Sequence, residues 1–162
     1  MKHKIISKEQ FTLMGIAART NNQSEMSGNG KIPALWAKFY SENIPGKLEN
    51  IRTSEEIVVA YTEFETDETG EYTIVIGQQV KENSEIIPGL VKKKISASQY
   101  LEIPTETGNI QTIVVEAWQK IWKDQPLKPK RKYAADLEVY GAEAQDPNHA
   151  KVNIYLSIRD ET

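Results

Sequence analysis

Apolar residues recur along the first half of the chain with two different periods. Alternation and β-branched residues predict three strands, at residues 11–19, 57–64 and 72–80. Between the first two strands, Ile32, Leu35, Trp36 and Phe39 have the three-and-four spacing of an amphipathic helix over residues 31–40. The first half therefore predicts the order strand, helix, strand, strand.

Turn-forming residues set the limits of these elements. Residues 21–30 read as a polar loop, and Pro45-Gly46 is expected to end the helix. Asp67 and Gly70 lie between the second and third strands, so we expect those two strands to pair as a hairpin.

The second half repeats the same order of elements. It predicts strands at residues 90–102, 133–140 and 151–158 and a helix at residues 110–123, with Asn109 as its N-cap. The two helices also share a local pattern, Trp36-Ala37-Lys38-Phe39-Tyr40 against Trp118-Gln119-Lys120-Ile121-Trp122.

We therefore predict an α+β fold made of two βαββ units related by a pseudo-two-fold axis. Residues 1–162 would form one domain, with repeat one at about 5–82 and repeat two at about 90–160. The strands would merge into one antiparallel-rich sheet with both main helices on one face. The alternative is that any α+β domain of this size shows a similar alternation of elements.

Composition excludes several kinds of chemistry. The 162 residues include no Cys and two His, which excludes thiolate metal sites and cysteine nucleophiles and leaves little for a His-based site. We expect no cofactor, no metal site and no catalytic residue, and haem is disfavoured because His149 is the only internal axial candidate.

Charge and hydropathy limit location and partners. The net charge of −3 argues against direct nucleic-acid binding, and the lysine clusters at 92–94 and 128–132 are expected to be solvated surface. The chain has no apolar run of 18 residues and no signal-peptide core, so we expect a cytoplasmic protein without a membrane partner.

Aromatic residues and one acidic strand are the candidate site. Trp118 and Trp122 would line a cleft between the two helices. In residues 136–140, Glu138 and Tyr140 share one strand face and would form the floor of that cleft. A buried carboxylate among aromatic rings suits a lipophilic cation. The alternative places Leu137 and Val139 inward and the acidic side chains in solvent.

Several segments resemble the effector-binding domains of the gyrase-inhibitor-like superfamily. They are Ser98-Gln99-Tyr100-Leu101-Glu102, Thr107-Gly108, Ala117-Trp118-Gln119-Lys120-Ile121-Trp122 and Asp136-Leu137-Glu138-Val139-Tyr140-Gly141. In the first half, Gly15-Ile16-Ala17-Ala18-Arg19-Thr20, Ile32-Pro33-Ala34-Leu35-Trp36 and Tyr72-Thr73-Ile74-Val75-Ile76-Gly77 resemble stand-alone members similar to integron-associated effector-binding proteins. The resemblance implies the duplicated βαββ fold and binding of small, often cationic and aromatic molecules. It also implies that Glu138 meets the charge of the ligand, with Trp118, Trp122, Tyr100 and Tyr140 as further ligand-binding positions. We add Trp36 of the first helix as a candidate ligand-binding residue.

Three functions follow as hypotheses. The first is a non-enzymatic protein that binds or senses small amphipathic organic cations and is related to the ligand domains of multidrug-sensing regulators of transcription in bacteria. The second is a protein-interaction module for gyrase or a separate regulator, with an exposed apolar surface that includes Leu137 and Val139. The third is a hydrolase of reactive electrophiles in which Glu138 activates water.

Overall fold

The alternating segments form one sheet of eight antiparallel strands in the computed structural model, which describes residues 3–160. The strands are β1 (Lys4–Lys8), β2 (Phe11–Asn21), β3 (Ile57–Thr62), β4 (Glu71–Val80), β5 (Val91–Ile95), β6 (Ser98–Pro104), β7 (Ala135–Tyr140) and β8 (Asn153–Ile158). Their order across the sheet is β1-β6-β8-β7-β3-β4-β2-β5, and every neighbouring pair is antiparallel.

Four α-helices lie within residues 3–160: α1 (Asn22–Met26), α2 (Ile32–Ser41), α3 (Ile44–Leu48) and α4 (Ile110–Lys123). Pro33 lies in the first turn of α2, where its missing N–H has no intrahelical partner to lose. The Asn109 side chain accepts hydrogen bonds from the N–H groups of Gln111 and Thr112, as an N-cap does. Within residues 3–160, no helix combines the length and the apolar composition needed to cross a bilayer.

The α+β class and the antiparallel sheet are confirmed, and so is the hairpin of β3 and β4. Three predictions of elements were wrong. Residues 90–102 form two strands, β5 and β6, and not one. The predicted loop at 21–30 contains α1, and Pro45-Gly46 opens a further short helix, α3, after α2 has ended. The strand β1 was not predicted at all.

The strand order has a two-fold pattern that differs from two simple βαββ units. If β1 is exchanged with β5, β2 with β6, β3 with β7 and β4 with β8, the strand order becomes the same order read backwards. β1 pairs with β6 of the second half, and β5 pairs with β2 of the first half. Each half is therefore a ββαββ unit whose first strand completes the sheet of the other half.

Short connections force the sheet to curl. β1 is first and β2 is seventh in the sheet, so a flat sheet would separate them by about 29 Å, six strand spacings of about 4.8 Å. The three peptide steps from Lys8 to Phe11 span at most about 11 Å. The connection from Ile95 to Ser98 is equally short, so the two edges of the sheet must approach each other.

The curl gives the sheet an inner and an outer face. We call inner the face whose buried cluster draws residues from all eight strands: Ile6, Leu13, Val58, Val75, Ile95, Tyr100, Leu137 and Tyr155. The outer face carries the helices. There Leu35 and Phe39 of α2 pack with Ile74 and Ile76, and Trp118 and Ile121 of α4 pack with Ile154 and Leu156. Both main helices therefore lie on one face, as predicted.

Candidate functional site

A cavity of about 770 Å³ lies on the outer face between α2 and α4. Trp36 and Tyr40 of α2 line one side, and Trp118 and Trp122 of α4 line the other. The strands β3 and β7, which are neighbours at the centre of the sheet, supply the floor. The cavity is thus built where the two halves of the chain meet.

Glu138 is at the floor of this cavity and is 2% exposed. Strand alternation places Asp136, Glu138 and Tyr140 on the outer face, because Leu137 belongs to the inner cluster. The carboxylate accepts three hydrogen bonds from neutral donors. Tyr61 Oη and Trp118 Nε1 each donate to Oε2 at 2.6 Å, and Tyr140 Oη donates to Oε1 at 2.7 Å.

The charge of Glu138 has no cationic partner in the described part of the chain. None of the ion pairs formed by residues 3–160 includes it. Burial raises the pKa of Glu138, and the hydrogen bonds from Tyr61, Tyr140 and Trp118 oppose that rise. Burial also raises the pKa values of Tyr61 and Tyr140 well above the usual range, so both hydroxyls stay protonated as donors. Glu138 is therefore an acidic group whose direct hydrogen-bond partners are all neutral.

Aromatic rings surround this carboxylate in fixed contacts. The ring of Trp36 meets that of Tyr140 edge-on at a centroid distance of 5.2 Å, and Tyr61 meets Trp118 edge-on at 5.4 Å. Trp118 and Trp122 are stacked at 6.4 Å. The electron-rich faces of such rings attract cations, most strongly where water is excluded.

A second group of buried charges lies in the same cavity. Arg131 is 3% exposed, and its Nη2 donates to Asp136 Oδ2 at 2.7 Å. Asp136 is fully buried and also accepts from the N–H and Oγ of Ser157, at 2.9 and 3.1 Å. Glu68 comes next, with Oε1 at 4.0 Å from Arg131 Nη1. Burial raises the pKa of Asp136, and the adjacent Arg131 guanidinium counteracts it.

The cavity opens to solvent between the helices. Three apolar or aromatic side chains at its rim are unusually exposed: Met26 at 57%, Tyr40 at 62% and Val115 at 48%. Exposed side chains of this kind around a concave site are typical of a binding groove. These three side chains mark the side of the cavity that faces solvent.

The structure places five of the six predicted site residues in the cavity: Glu138, Trp118, Trp122, Tyr140 and Trp36. Tyr100 is elsewhere. It is 1% exposed in the inner cluster, because its neighbours Leu101 and Ile103 occupy the outer face of β6. Leu137 is 1% exposed in the same inner cluster, so the expected exposed apolar surface at Leu137 and Val139 is not present.

Sequence reasoning missed several residues of the cavity. Tyr61, Tyr72 and Phe64 come from β3, β4 and the connection between them, and Glu68 and Arg131 come from connecting segments. The pairing of Tyr61 with Asp136 between β3 and β7 brings Tyr61 beside Glu138, and no local pattern reports that pairing. Among residues 3–160, no group of three or more His, Asp or Glu side chains is placed to hold a metal ion.

Comparisons with known proteins give consistent matches over nearly the whole chain. The family model described as "Cass2: Integron-associated effector binding protein" matches residues 4–158. The putative transcriptional regulator protein YobU of Bacillus subtilis (strain 168) is 32% identical over 146 residues, which are 90% of each chain.

Two solved structures have the same fold. The integron cassette protein VCH_CASS2 from the mobile metagenome of Vibrio cholerae is 27% identical, with a TM-score of 0.76 over 97% of this chain and 95% of its own. The structure of SAV2435 bound to tetraphenylphosphonium is 17% identical, with a TM-score of 0.80 over 98% of this chain and 94% of its own.

Proposed function

We propose a function for this chain, which belongs to the Cass2 family of integron-associated effector binding proteins. In this proposal the protein binds small aromatic or amphipathic organic cations in the cavity between α2 and α4. The resemblance read from the sequence is thereby confirmed at the level of the family. The class of ligand and the roles of individual residues are the proposal.

The observation that carries the proposal is the environment of Glu138. A buried carboxylate is costly unless a charge or several hydrogen bonds compensate it. Here the compensation comes from three neutral donors, and no ion pair within residues 3–160 reaches it. An organic cation in the cavity would supply the missing positive charge while its apolar groups contact Trp36, Trp118 and Trp122.

The size of the cavity supports the same class of ligand. Sites for drug-sized molecules enclose roughly 300–1,000 Å³ and are mostly apolar with a few polar groups. The cavity of about 770 Å³ lies in that range. The neighbour SAV2435 was solved with tetraphenylphosphonium, an aromatic cation of matching size and chemistry.

We propose that the site binds without reaction. Both oxygens of Glu138 accept hydrogen bonds from side chains, so the carboxylate is engaged by Tyr61, Trp118 and Tyr140 and is poorly placed to activate a water molecule. The family assignment, effector binding, points the same way.

Intrinsic fluorescence gives a direct test, because all three tryptophans of the chain line the cavity. Titration with tetraphenylphosphonium should quench this emission saturably. Neutral triphenylphosphine oxide should bind much more weakly. Two opposite charges about 5 Å apart interact by about 3 kcal/mol at an effective dielectric of about 20, so Glu138→Gln should weaken cation binding on the order of 100-fold.

Glu116→Gln is the matched control, since it removes the same charge from an exposed position of the same helix as Trp118. It should leave the dissociation constant within about twofold of wild type, as expected for a screened surface charge. Equal affinity of wild type and Glu138→Gln for the cation would refute the proposal.

A further inference from the structure

Arg131 is a buried cation, and two of the three nitrogens of its guanidinium group make no hydrogen bond within residues 3–160. Its Nη2 bonds to Asp136, whereas Nε and Nη1 are buried and have no hydrogen-bond partner within residues 3–160. Buried guanidinium donors normally find acceptors, since an unmade hydrogen bond to a charged group is expensive. The side chain is 3% exposed and belongs to the lining of the cavity, so these donors lie just beneath the cavity wall.

Glu68 has the complementary unused atom. Its Oε2 is buried without a hydrogen-bond partner among the described residues, as is the hydroxyl of Tyr133, whose pKa is raised by burial and by the neighbouring Glu68. Oε1 of Glu68 lies 4.0 Å from Arg131 Nη1. A separation of 4.0 Å is too long for a hydrogen bond. A donor and an acceptor therefore lie beside each other without a hydrogen bond between them, on two residues that line the same cavity as Glu138.

Hydrogen-bond complementarity argues against a second fully charged ligand group at this position. Arg131 stands between the carboxylates of Asp136 and Glu68, at 2.7 and 4.0 Å. An added ammonium group has no acceptor for the donors of Arg131, and an added carboxylate has no donor for Glu68 and would be repelled by it. A neutral group that both accepts and donates satisfies both side chains at once.

We propose that Arg131 and Glu68 form a second subsite that binds a hydroxyl or carboxamide group of the ligand, next to the cation held at Glu138. The group accepts a hydrogen bond from Arg131 and donates one to Glu68. This inference rests on the proposed function, because it specifies further the ligand of the same cavity.

The two subsites are close enough for one small molecule. Asp136, which holds Arg131, and Glu138 are two residues apart on the same face of β7, a backbone spacing of about 7 Å. Arg131 and Glu68 lie on the far side of Asp136 from this spacing, so we take one aromatic ring as the shortest separation of the two subsites. The ligand class is therefore an aromatic organic cation with a neutral hydroxyl or amide at least one ring away from its charge.

A matched pair of probes isolates this group. Para-(hydroxymethyl)phenyl-triphenylphosphonium and para-ethylphenyl-triphenylphosphonium have the same charge and nearly the same shape, and differ by a hydroxyl in place of a methyl. Wild type should bind the hydroxyl probe about tenfold more tightly, the discrimination that one hydrogen bond to a charged group supplies. Para-(methoxymethyl)phenyl-triphenylphosphonium, which accepts but cannot donate, should lose most of that gain.

The Glu68→Leu variant should bring the ratio of the two affinities close to one; this ratio is the readout, because removing the charge of Glu68 also lowers the affinity for both cations. Glu65→Leu is the control, because Glu65 is exposed in the same connection and does not line the cavity. It should keep the wild-type ratio.

The outcomes separate this inference from the function on which it rests. Tetraphenylphosphonium binding with equal affinities for the hydroxyl and ethyl probes overturns the subsite and leaves the proposed function standing. A ratio that survives in Glu68→Leu also overturns it. Failure of every phosphonium to bind wild type overturns both. Should Glu68→Leu not fold, the methoxymethyl probe on wild type decides whether a donated hydrogen bond is required.

Discussion

The hydroxyl of Tyr140 offers a way to change the ionisation of Glu138 without changing the shape of the cavity. Its Oη is 2.7 Å from Glu138 Oε1 and is the one hydrogen-bond donor to that oxygen within residues 3–160. Tyr140→Phe removes this donor and keeps the ring that meets Trp36 at 5.2 Å. The other oxygen, Oε2, keeps its bonds from Tyr61 and Trp118.

The size of the effect follows from the charge of the acceptor. A hydrogen bond to an ionised group contributes about 1.5–3 kcal/mol, and one pKa unit corresponds to about 1.4 kcal/mol. The hydrogen bond favours the ionised form, so its loss should raise the pKa of Glu138, already raised by burial, by a further one to two units, roughly. Cations bind the ionised form, so below this pKa their affinity falls about tenfold for each unit of pH.

The assay is the dissociation constant of tetraphenylphosphonium as a function of pH, measured by tryptophan fluorescence. For Tyr140→Phe the midpoint of the pH profile should lie about one to two units above that of wild type. At the alkaline end of the profile the two proteins should bind equally. Tyr40→Phe, which also removes a hydroxyl from the cavity, should leave the midpoint unchanged because Tyr40 does not bond to Glu138. An unshifted midpoint in Tyr140→Phe, or an equal loss of affinity at every pH, would show that the hydroxyl does not control the ionisation.

Three further predictions concern stability. Burial raises the pKa of Glu138, so wild type without ligand loses stability as the pH rises from the unfolded-state pKa of this group to its folded-state pKa. Glu138→Gln does not titrate, and its free energy of unfolding relative to wild type should therefore increase across that pH range, by about 1.4 kcal/mol per unit of difference between the two pKa values. Urea titrations at a series of pH values measure this difference. Asp136→Ala strands buried Arg131 and should lower the free energy of unfolding by about 3–5 kcal/mol, whereas a loss under about 1 kcal/mol would contradict the buried-pair interpretation. Gly77→Ala puts a Cβ into steric conflict with the carbonyl oxygen of Met14 on the paired strand, so the melting temperature of this variant should fall steeply, and an unchanged melting temperature would contradict this close approach.

Local sequence patterns predicted the elements that have a clear apolar periodicity and clear capping or terminating residues. Residues 110–123 were predicted as a helix and form α4 with those bounds, because a strong apolar stripe begins at the cap Asn109 and ends near Pro126. β1 has two lysines and only two apolar residues, and it is an exposed edge that buries little, so periodicity cannot reveal it. The break at Ser96-Ala97 between β5 and β6 carries none of the strong turn formers Gly, Pro, Asn and Asp. The segment is split because β5 pairs with β2 at one edge of the sheet, whereas β6 pairs with β8 near the opposite edge.

The residues of the candidate site differ in the same way in how well the sequence predicts them. Glu138, Tyr140, Trp118 and Trp122 could be grouped because a strand alternation and a helical stripe each placed a pair of them on one face. Tyr100 was assigned by resemblance alone, and the phase of β6 places it on the inner face.

Glu68 and Arg131 lie in connecting segments, whose positions depend on how distant strands pair. Sequence patterns report faces within one element and do not report contacts between elements that are far apart in the chain.

The exchange of first strands between the halves bears on ancestry and assembly. A chain with only one ββαββ unit would hold a strand that its own sheet cannot pair, and two such chains would complete each other as an interlocked dimer. The present chain would correspond to that dimer joined into one polypeptide. Glu138 comes from β7 and its partner Tyr61 from β3, strands of different units that meet at the centre of the sheet. The cavity is therefore built from both units, and it exists only once both units have come together.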